Sequence, residues 1–402
     1  MTPKGFRLHL GIFGRRNVGK SSLLNALTRQ QTAIVSEQAG TTTDPVEKPM
    51  ELAPIGPVLF IDTAGVDDAG SLGERRIQKT REVFDRTDIG IIVSAEAQDG
   101  GAISVFERHI IDELRKREIP ILFVFNKSDL AEPTAASVAE LESLQLPFVC
   151  VEAVHGKGIG ALRELLIRTV PDDFLSPPPI VSDLIPPGEL IVLVVPIDKA
   201  APKGRLILPQ VQTIRDILDG DRCCVVVKDA QLKSVLARLK MPPALVVTDS
   251  QAFAQVSSDT PGNVPLTSFS ILFARQKGDL ASLVEGAKTI GSLRSNSRVL
   301  IAESCTHHPI DEDIGTVKIP NLLRKFVGGD LEIGHVSGHN FPKTDLADWN
   351  LVIHCGACMW NRREMLSRIL HCREAGVPIT NYGLAIAFMQ GILDRALKPL
   401  DV

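Results

Sequence analysis

Gly14-Arg-Arg-Asn-Val-Gly19-Lys20-Ser21 decides the fold of the N-terminal part of this chain. It has the form G-x-x-x-x-G-K-[ST]. It follows an apolar run, Arg7 to Phe13, that reads as a strand, and opens a segment, Ser22 to Leu27, that reads as a helix. Strand, glycine loop and helix in that order are the context a phosphate-binding loop requires. The glycines let the backbone from Asn17, Val18 and Gly19 to Ser22 wrap a phosphate chain. Lys20 neutralises the β and γ oxygens, and the Ser21 hydroxyl is placed to ligate magnesium.

Outward from the loop, apolar runs alternate with amphipathic stretches as far as about residue 170: Val58 to Ile61, Ile89 to Val93, Ile121 to Phe125 and Phe148 to Val151. That rhythm predicts a doubly wound α/β domain. Ser176-Pro-Pro-Pro179 and Pro186-Pro187-Gly188 cannot continue a helix or a central strand and mark a linker. A second α/β unit follows, with strands expected at Leu190 to Val195, Cys223 to Val227 and Ala244 to Val247, and helices around 209–219 and 229–239. Asp259-Thr-Pro-Gly-Asn-Val-Pro265 reads as the next boundary. Beyond it, strands are expected at Val299 to Ala302, Leu331 to Val336 and Leu351 to His354, and helices at Asp279 to Leu293, Asn361 to Leu370 and Tyr382 to Ala396. The fold class is therefore α/β in three domains: 1–175 a P-loop GTPase fold, 184–264 a dimerisation module, and 265–402 a cysteine-bearing domain.

Three further elements in the right order turn the phosphate loop into a guanine-nucleotide site. Leu59-Phe-Ile-Asp62-Thr-Ala-Gly65 is a strand ending in a carboxylate that can hold the magnesium shell, then a glycine whose N–H can meet a γ-phosphate. Phe123-Val-Phe-Asn126-Lys127-Ser-Asp129 puts Asn and Asp past another strand end, where an Asp accepts both N–H groups of guanine. Adenine offers no such pair. In Val151-Glu-Ala153 the backbone N–H of Ala153 is expected to contact the base oxygen. These residues resemble the TRAFAC GTPases of the Era and MnmE branch over about residues 6 to 170. The resemblance aligns Gly40-Thr41-Thr42-Thr43-Asp44 with the switch I signature, making Thr42 the magnesium-ligand candidate beside Thr41 and Thr43. Lys20, Thr42 and Gly65 are then the candidate catalytic residues. Asn17 matches the asparagine that in such relatives helps hold a potassium ion, and its other reading is a loop-stabilising side chain. Val66 stands where Ras-like enzymes use Gln to orient water, so slow hydrolysis stimulated by potassium is expected.

Cys305-Thr-His307 and His354-Cys355-Gly-Ala-Cys358 both lie at expected strand ends, where open α/β sheets bind ligands. Two distant strand ends can deliver three thiolates to one point. Zinc and an iron-sulfur cluster both suit such a set, and the spacing alone does not choose. Cys150, Cys223, Cys224 and Cys372 read as packing residues. Behind a GTPase domain, C-x-H followed by H-C-x-x-C looks like the HydF family, the maturation GTPases of FeFe-hydrogenases. The resemblance implies a 4Fe-4S cluster on Cys305, Cys355 and Cys358, with His307 and His354 as candidates for the fourth position. It also implies a homodimeric scaffold that receives a di-iron precursor from the radical-SAM maturases HydE and HydG and passes it to apo-hydrogenase.

The 402 residues carry 44 Lys and Arg against 48 Asp and Glu, a balance of -4, with 44% hydrophobic residues. No segment has the basic excess of a phosphate-backbone binder, which argues against an RNA-associated GTPase with a structural zinc domain. A zinc hydrolase lacks an evident general base beside the ligands. No apolar run reaches the ~20 residues of a membrane helix. The phosphate loop starts too early to leave room for a signal peptide, so a cytoplasmic location with reduced cysteines is expected.

Overall fold

The computed structural model describes residues 3–28, 45–63, 80–95, 103–196, 206–304, 313–338, 340–342 and 345–401. The chain divides into two compact units, Met1–Pro177 and Pro178–Val402.

In the first unit the strands are β1 (Leu8–Phe13), β2 (Val46–Leu52), β3 (Gly56–Asp62), β4 (Ile89–Ser94), β5 (Ile121–Asn126) and β6 (Phe148–Val151). They form one sheet in the order β2-β3-β1-β4-β5-β6. Every pairing is parallel except β2 with β3. The helices are α1 (Lys20–Thr28), α2 (Val105–Lys116), α3 (Ala135–Ser143) and α4 (Ile159–Thr169). Leu10 and Ile12 of β1 pack on one face with Leu23, Leu27, Leu162 and Leu166 of α1 and α4. Phe13 and Ile61 face the other way, toward Ile110, Leu114 and Leu141 of α2 and α3. Burial on both faces explains why β1, β4 and β5 read as unbroken apolar runs. The edge strand β2 carries Pro49 and three charged residues, a pattern that only an edge tolerates.

The second unit holds two parallel four-stranded sheets. One contains β7 (Leu190–Val194), β8 (Cys223–Val227), β9 (Leu245–Thr248) and β10 (Leu266–Ser268), ordered β10-β9-β7-β8. The other contains β11 (Arg298–Glu303), β12 (Glu332–Ser337), β13 (Leu351–His354) and β14 (Ile379–Asn381), ordered β12-β11-β13-β14. Helices α5 (Leu208–Asp219), α6 (Phe253–Asp259), α7 (Phe269–Lys277), α8 (Leu280–Lys288), α9 (Ile319–Val327), α10 (Arg362–Glu374), α11 (Tyr382–Met389) and α12 (Leu393–Leu397) cover them. A single apolar core includes Val192 and Val246 of the first sheet and Leu300 and Val352 of the second, with Phe269 and Phe273 of α7 between.

Four readings of the sequence change here. The turn at 259–265 leads into β10, which pairs with β9, so the middle sheet extends past it. Tyr382 to Ala396 is broken at Gly391, giving α11 and α12 instead of one helix. The helix expected to Leu293 ends as an α-helix at Lys288 and tightens to 3-10 over Thr289–Ser292. Cys223 is exposed and Cys224 half-buried, because β8 is an edge strand paired only with β7. Cys372 is fully buried, and burial pushes its thiol up to about 12.

Helix α8 lies against β14 at Gly286, where an added Cβ would collide with the Ile379 carbonyl oxygen. The clash is with backbone atoms, which yield less than the end of a flexible side chain. Gly286→Ala should cost roughly 1–3 kcal/mol, the usual penalty of overpacking, read as a lower urea midpoint. An unchanged midpoint would mean that the helix stands off from the strand.

Candidate functional site

The phosphate loop leaves β1 at Phe13 and enters α1 at Lys20. Asn17 is exposed with φ 64, a left-handed conformation that Asn tolerates better than most residues. Its backbone therefore gives a local reason for the residue type. Val18 is fully buried and anchors the loop to the core. Lys20 is buried and donates to the carbonyls of Gly14 (2.7 Å) and Arg15 (2.8 Å), so its ammonium spans the mouth of the loop. Ser22 lies half-buried in the first turn of α1.

Asp62 is the last residue of β3, and its Oδ2 accepts from the Ser21 hydroxyl at 3.2 Å. Thr63 fixes it there, donating both its N–H (3.2 Å) and its hydroxyl (2.7 Å) to the Ile12 carbonyl. Asp62 Oδ1 is buried without a hydrogen-bond partner. Burial raises the carboxyl's pKa, opposed by Lys20, Ser21 and Lys48. A hydroxyl and an orphaned carboxylate oxygen are the oxygen ligands a hard divalent cation takes, so Ser21 and Asp62 fit magnesium.

Asn126 ends β5 and joins two motifs. Its Nδ2 donates to the Val18 carbonyl at 2.8 Å, and its Oδ1 accepts the Ala153 N–H at 3.1 Å. The Ala153 N–H, the group expected at the base oxygen, thus lies next to the Asn126 amide. Lys127 has φ 60, which turns the chain toward exposed Asp129. Thr42 and Gly65, with Thr41 and Thr43, lie outside the described residues. Sequence reasoning passed over Arg15, whose Nε lies 3.5 Å from the fully buried Glu107 carboxylate. Glu107 also closes the capping box of α2 with Ser104.

The second cluster sits where β11 and β13 run parallel, with Ala302 opposite His354. The Cys355 N–H donates to the Ala302 carbonyl at 2.9 Å. The Cys355 Sγ accepts the Ser304 N–H at 3.1 Å and meets the Ser304 hydroxyl at 3.1 Å. Burial raises the Cys355 pKa, and bonds from Ser304 and Ala357 oppose it. Cys358 follows in a loop that turns at Ala357, φ 49, before Asn361 caps α10. Cys305, His307, His308 and His339 lie outside the described residues. Among the described residues no group of three or more His, Cys, Asp or Glu gathers as a metal site.

His354 is fully buried with both ring nitrogens engaged: Nδ1 to the Cys355 carbonyl at 2.7 Å, Nε2 to Arg368 at 2.8 Å. Burial and the Arg368 charge lower its pKa to about 3. The two nitrogens tie the ring to the loop after β13 and to α10. Arg368 also donates to the Gly338 carbonyl at 2.6 Å and lies 3.9 Å over the Trp360 ring and 4.6 Å over Phe341. Trp360 is thus a packing wall of this site, while Trp349 stacks on Arg298. His335 lies exposed on β12, and desolvation lowers its pKa against the opposing pull of Glu303 and Asp313. Neither Arg368 nor buried Lys277, which lies under the loop, carried a motif that would have exposed it.

A family profile described as 50S ribosome-binding GTPase matches residues 9–127. Profiles described as Hydrogen maturase F dimerization domain and Hydrogen maturase F tetramerization domain match 180–278 and 281–399. The tRNA modification GTPase MnmE of Heliobacterium modesticaldum is 38% identical over 166 residues, 40% of this chain and 34% of that protein. GTPase Der of Solidesulfovibrio magneticus is 30% identical over 165 residues, 40% of this chain and 36% of its own length. The chain thus spans about a third of the length of these curated relatives. Among solved structures, Aquifex aeolicus Era bound to GDP and AlF4- is 17% identical at TM-score 0.36, covering 55% of this chain and 94% of that one. The G domain of T. maritima FeoB is 20% identical at TM-score 0.32, covering 41% and 99%.

Asn126→Ala removes both bonds that tie the phosphate loop to Ala153. Each is worth about 1 kcal/mol, so guanine-nucleotide affinity should fall roughly 10- to 100-fold in a fluorescent-GDP titration. Affinity within twofold of the parent would show that the bridge does not shape the site.

Proposed function

Because the chain carries the hydrogen maturase F dimerisation and tetramerisation domains behind a P-loop GTPase domain, it belongs to the HydF family, and from that premise we propose a GTP-hydrolysing scaffold for FeFe-hydrogenase maturation. It holds a 4Fe-4S cluster through Cys305, Cys355 and Cys358 and passes a di-iron precursor to apo-hydrogenase. HydE and HydG are its proposed suppliers, and the working form is at least a homodimer.

The observation that supports the cluster most is the meeting of the β11 and β13 ends. Ser304, the residue immediately before Cys305, already touches the Cys355 sulfur through its N–H. The neighbouring C-x-x-C loop precedes the N-terminus of α10, whose dipole favours anionic sulfur. A thiolate set with N–H donors aimed at one sulfur suits an iron-sulfur cluster, which supplies a site to which a di-iron precursor can attach.

At the nucleotide site, Ser21 and Asp62 would hold magnesium, which when bound would supply positive charge against the phosphates. Lys20 leaves the Gly14 and Arg15 carbonyls to meet the β and γ oxygens. Thr42 and Gly65 close on the γ-phosphate, so its loss releases them, a change of order of the kind GTPases use as a switch. Without a glutamine at Val66, water is poorly oriented and turnover is slow.

Turnover should be faster in potassium than in sodium, and equal rates in both salts would remove the role given to Asn17. Anaerobic reconstitution should load iron and sulfide in a cluster visible by electron paramagnetic resonance after reduction. Cys305→Ala should lose that signal and keep GTP hydrolysis. Stoichiometric zinc without iron or sulfide would overturn the scaffold reading.

A further inference from the structure

Lys277 is the last residue of α7, before the Gly278 cap, and its side chain is buried at 5% exposure. Its ammonium donates to the carbonyls of Ala357 (3.2 Å), Cys358 (3.2 Å) and Trp360 (2.8 Å). An ammonium has three donors, and here one short loop takes three bonds from it. The Ala357 carbonyl belongs to the residue whose backbone is left-handed, so the cation supports the costliest conformation in the loop. Trp360, at the other end of the grip, carries the ring on which Arg368 stacks. The α7 segment also crosses between domains. The dimerisation match ends at 278 and the tetramerisation match begins at 281, so a residue of the first shapes a loop of the second.

A buried positive charge is costly unless it has work to do. Burial lowers the Lys277 pKa to about 8, while Cys358 and Cys355 act to raise it, so below that pH the ammonium persists and is coupled to these two sulfurs. An iron-sulfur cluster on cysteine thiolates is net anionic, and charge and hydrogen bonding around the sulfurs set its reduction potential.

We propose that Lys277 is the positioning residue of the cysteine site: it templates the loop from Cys355 to Trp360, and its charge raises the reduction potential of the cluster held there. This rests on the cluster reading above. It makes the cluster site a joint product of the two C-terminal domains, with the dimerisation domain contributing the charge.

The test compares the full-length parent chain with Lys277→Met, which keeps the length of the side chain and removes charge and donors, and Lys277→Arg, which keeps the charge and cannot place three N–H groups on the same carbonyls. Each is reconstituted anaerobically with iron and sulfide. Iron loss to a chelator is timed, the midpoint potential is titrated by electron paramagnetic resonance, and a urea unfolding curve serves as the control for folding of the unit that carries Lys277, with GTP turnover as the control for the first unit. Lys277→Met should lose iron about tenfold faster or more, the usual effect of removing an outer-shell partner. Its midpoint should move to more negative potential, with GTP turnover unchanged. Lys277→Arg should lose iron faster while keeping the parent's midpoint, which separates loop templating from charge and decides the matter if the Met variant does not fold. Parental midpoint and parental iron retention in a folded Lys277→Met chain overturn this proposal alone, as does parental iron retention in Lys277→Arg. A parent chain that takes up no iron and sulfide overturns this proposal together with the cluster reading.

Discussion

Parallel pairing governs this protein. A parallel sheet sends all its strands toward one edge, where the chain must leave the ladder with its backbone groups unpaired, and those loops are where ligands are met. The nucleotide residues follow that rule one by one. The phosphate loop leaves the end of β1, Asp62 ends β3, Asn126 ends β5, and Ala153 lies just past β6. The cysteine site repeats it, with Ser304 just past β11 and Cys355 just past β13. Both sites are products of strand direction before they are products of particular side chains.

The same rule explains what could be read from sequence. Central parallel strands are buried on both faces, so β1, β4, β5, β7 and β13 show as apolar runs and their ends mark the loops to search. Edge and very short strands do not. Strand β2 mixes Glu47, Lys48, Pro49 and Glu51 into its length, and β10 and β14 have three residues each. Cys223 was misread for a related reason: a strand of five apolar residues looks the same in the middle of a sheet as at its edge.

The nucleotide motifs were legible because each is contiguous. The supporting cations of the cysteine site were not. Lys277 follows Arg275 at a helix C-terminus, where basic residues are favoured by the dipole anyway. Arg368 lies in a helix with four other Arg or His positions, Arg362, Arg363, His371 and Arg373, and their ordinary helical context hides it from any spacing argument. Only folding shows that these two face inward. The side chains of Arg368 and His354 meet at 2.8 Å, and burial first, then the Arg368 charge, lowers the His354 pKa to about 3.

The bridge through Asn126 has a wider consequence. One amide side chain holds the phosphate loop with its nitrogen and the loop after β6 with its oxygen. The loop after β1 and the loop after β6 are thus mechanically one piece, so a displacement of either is passed to the other through a single side chain.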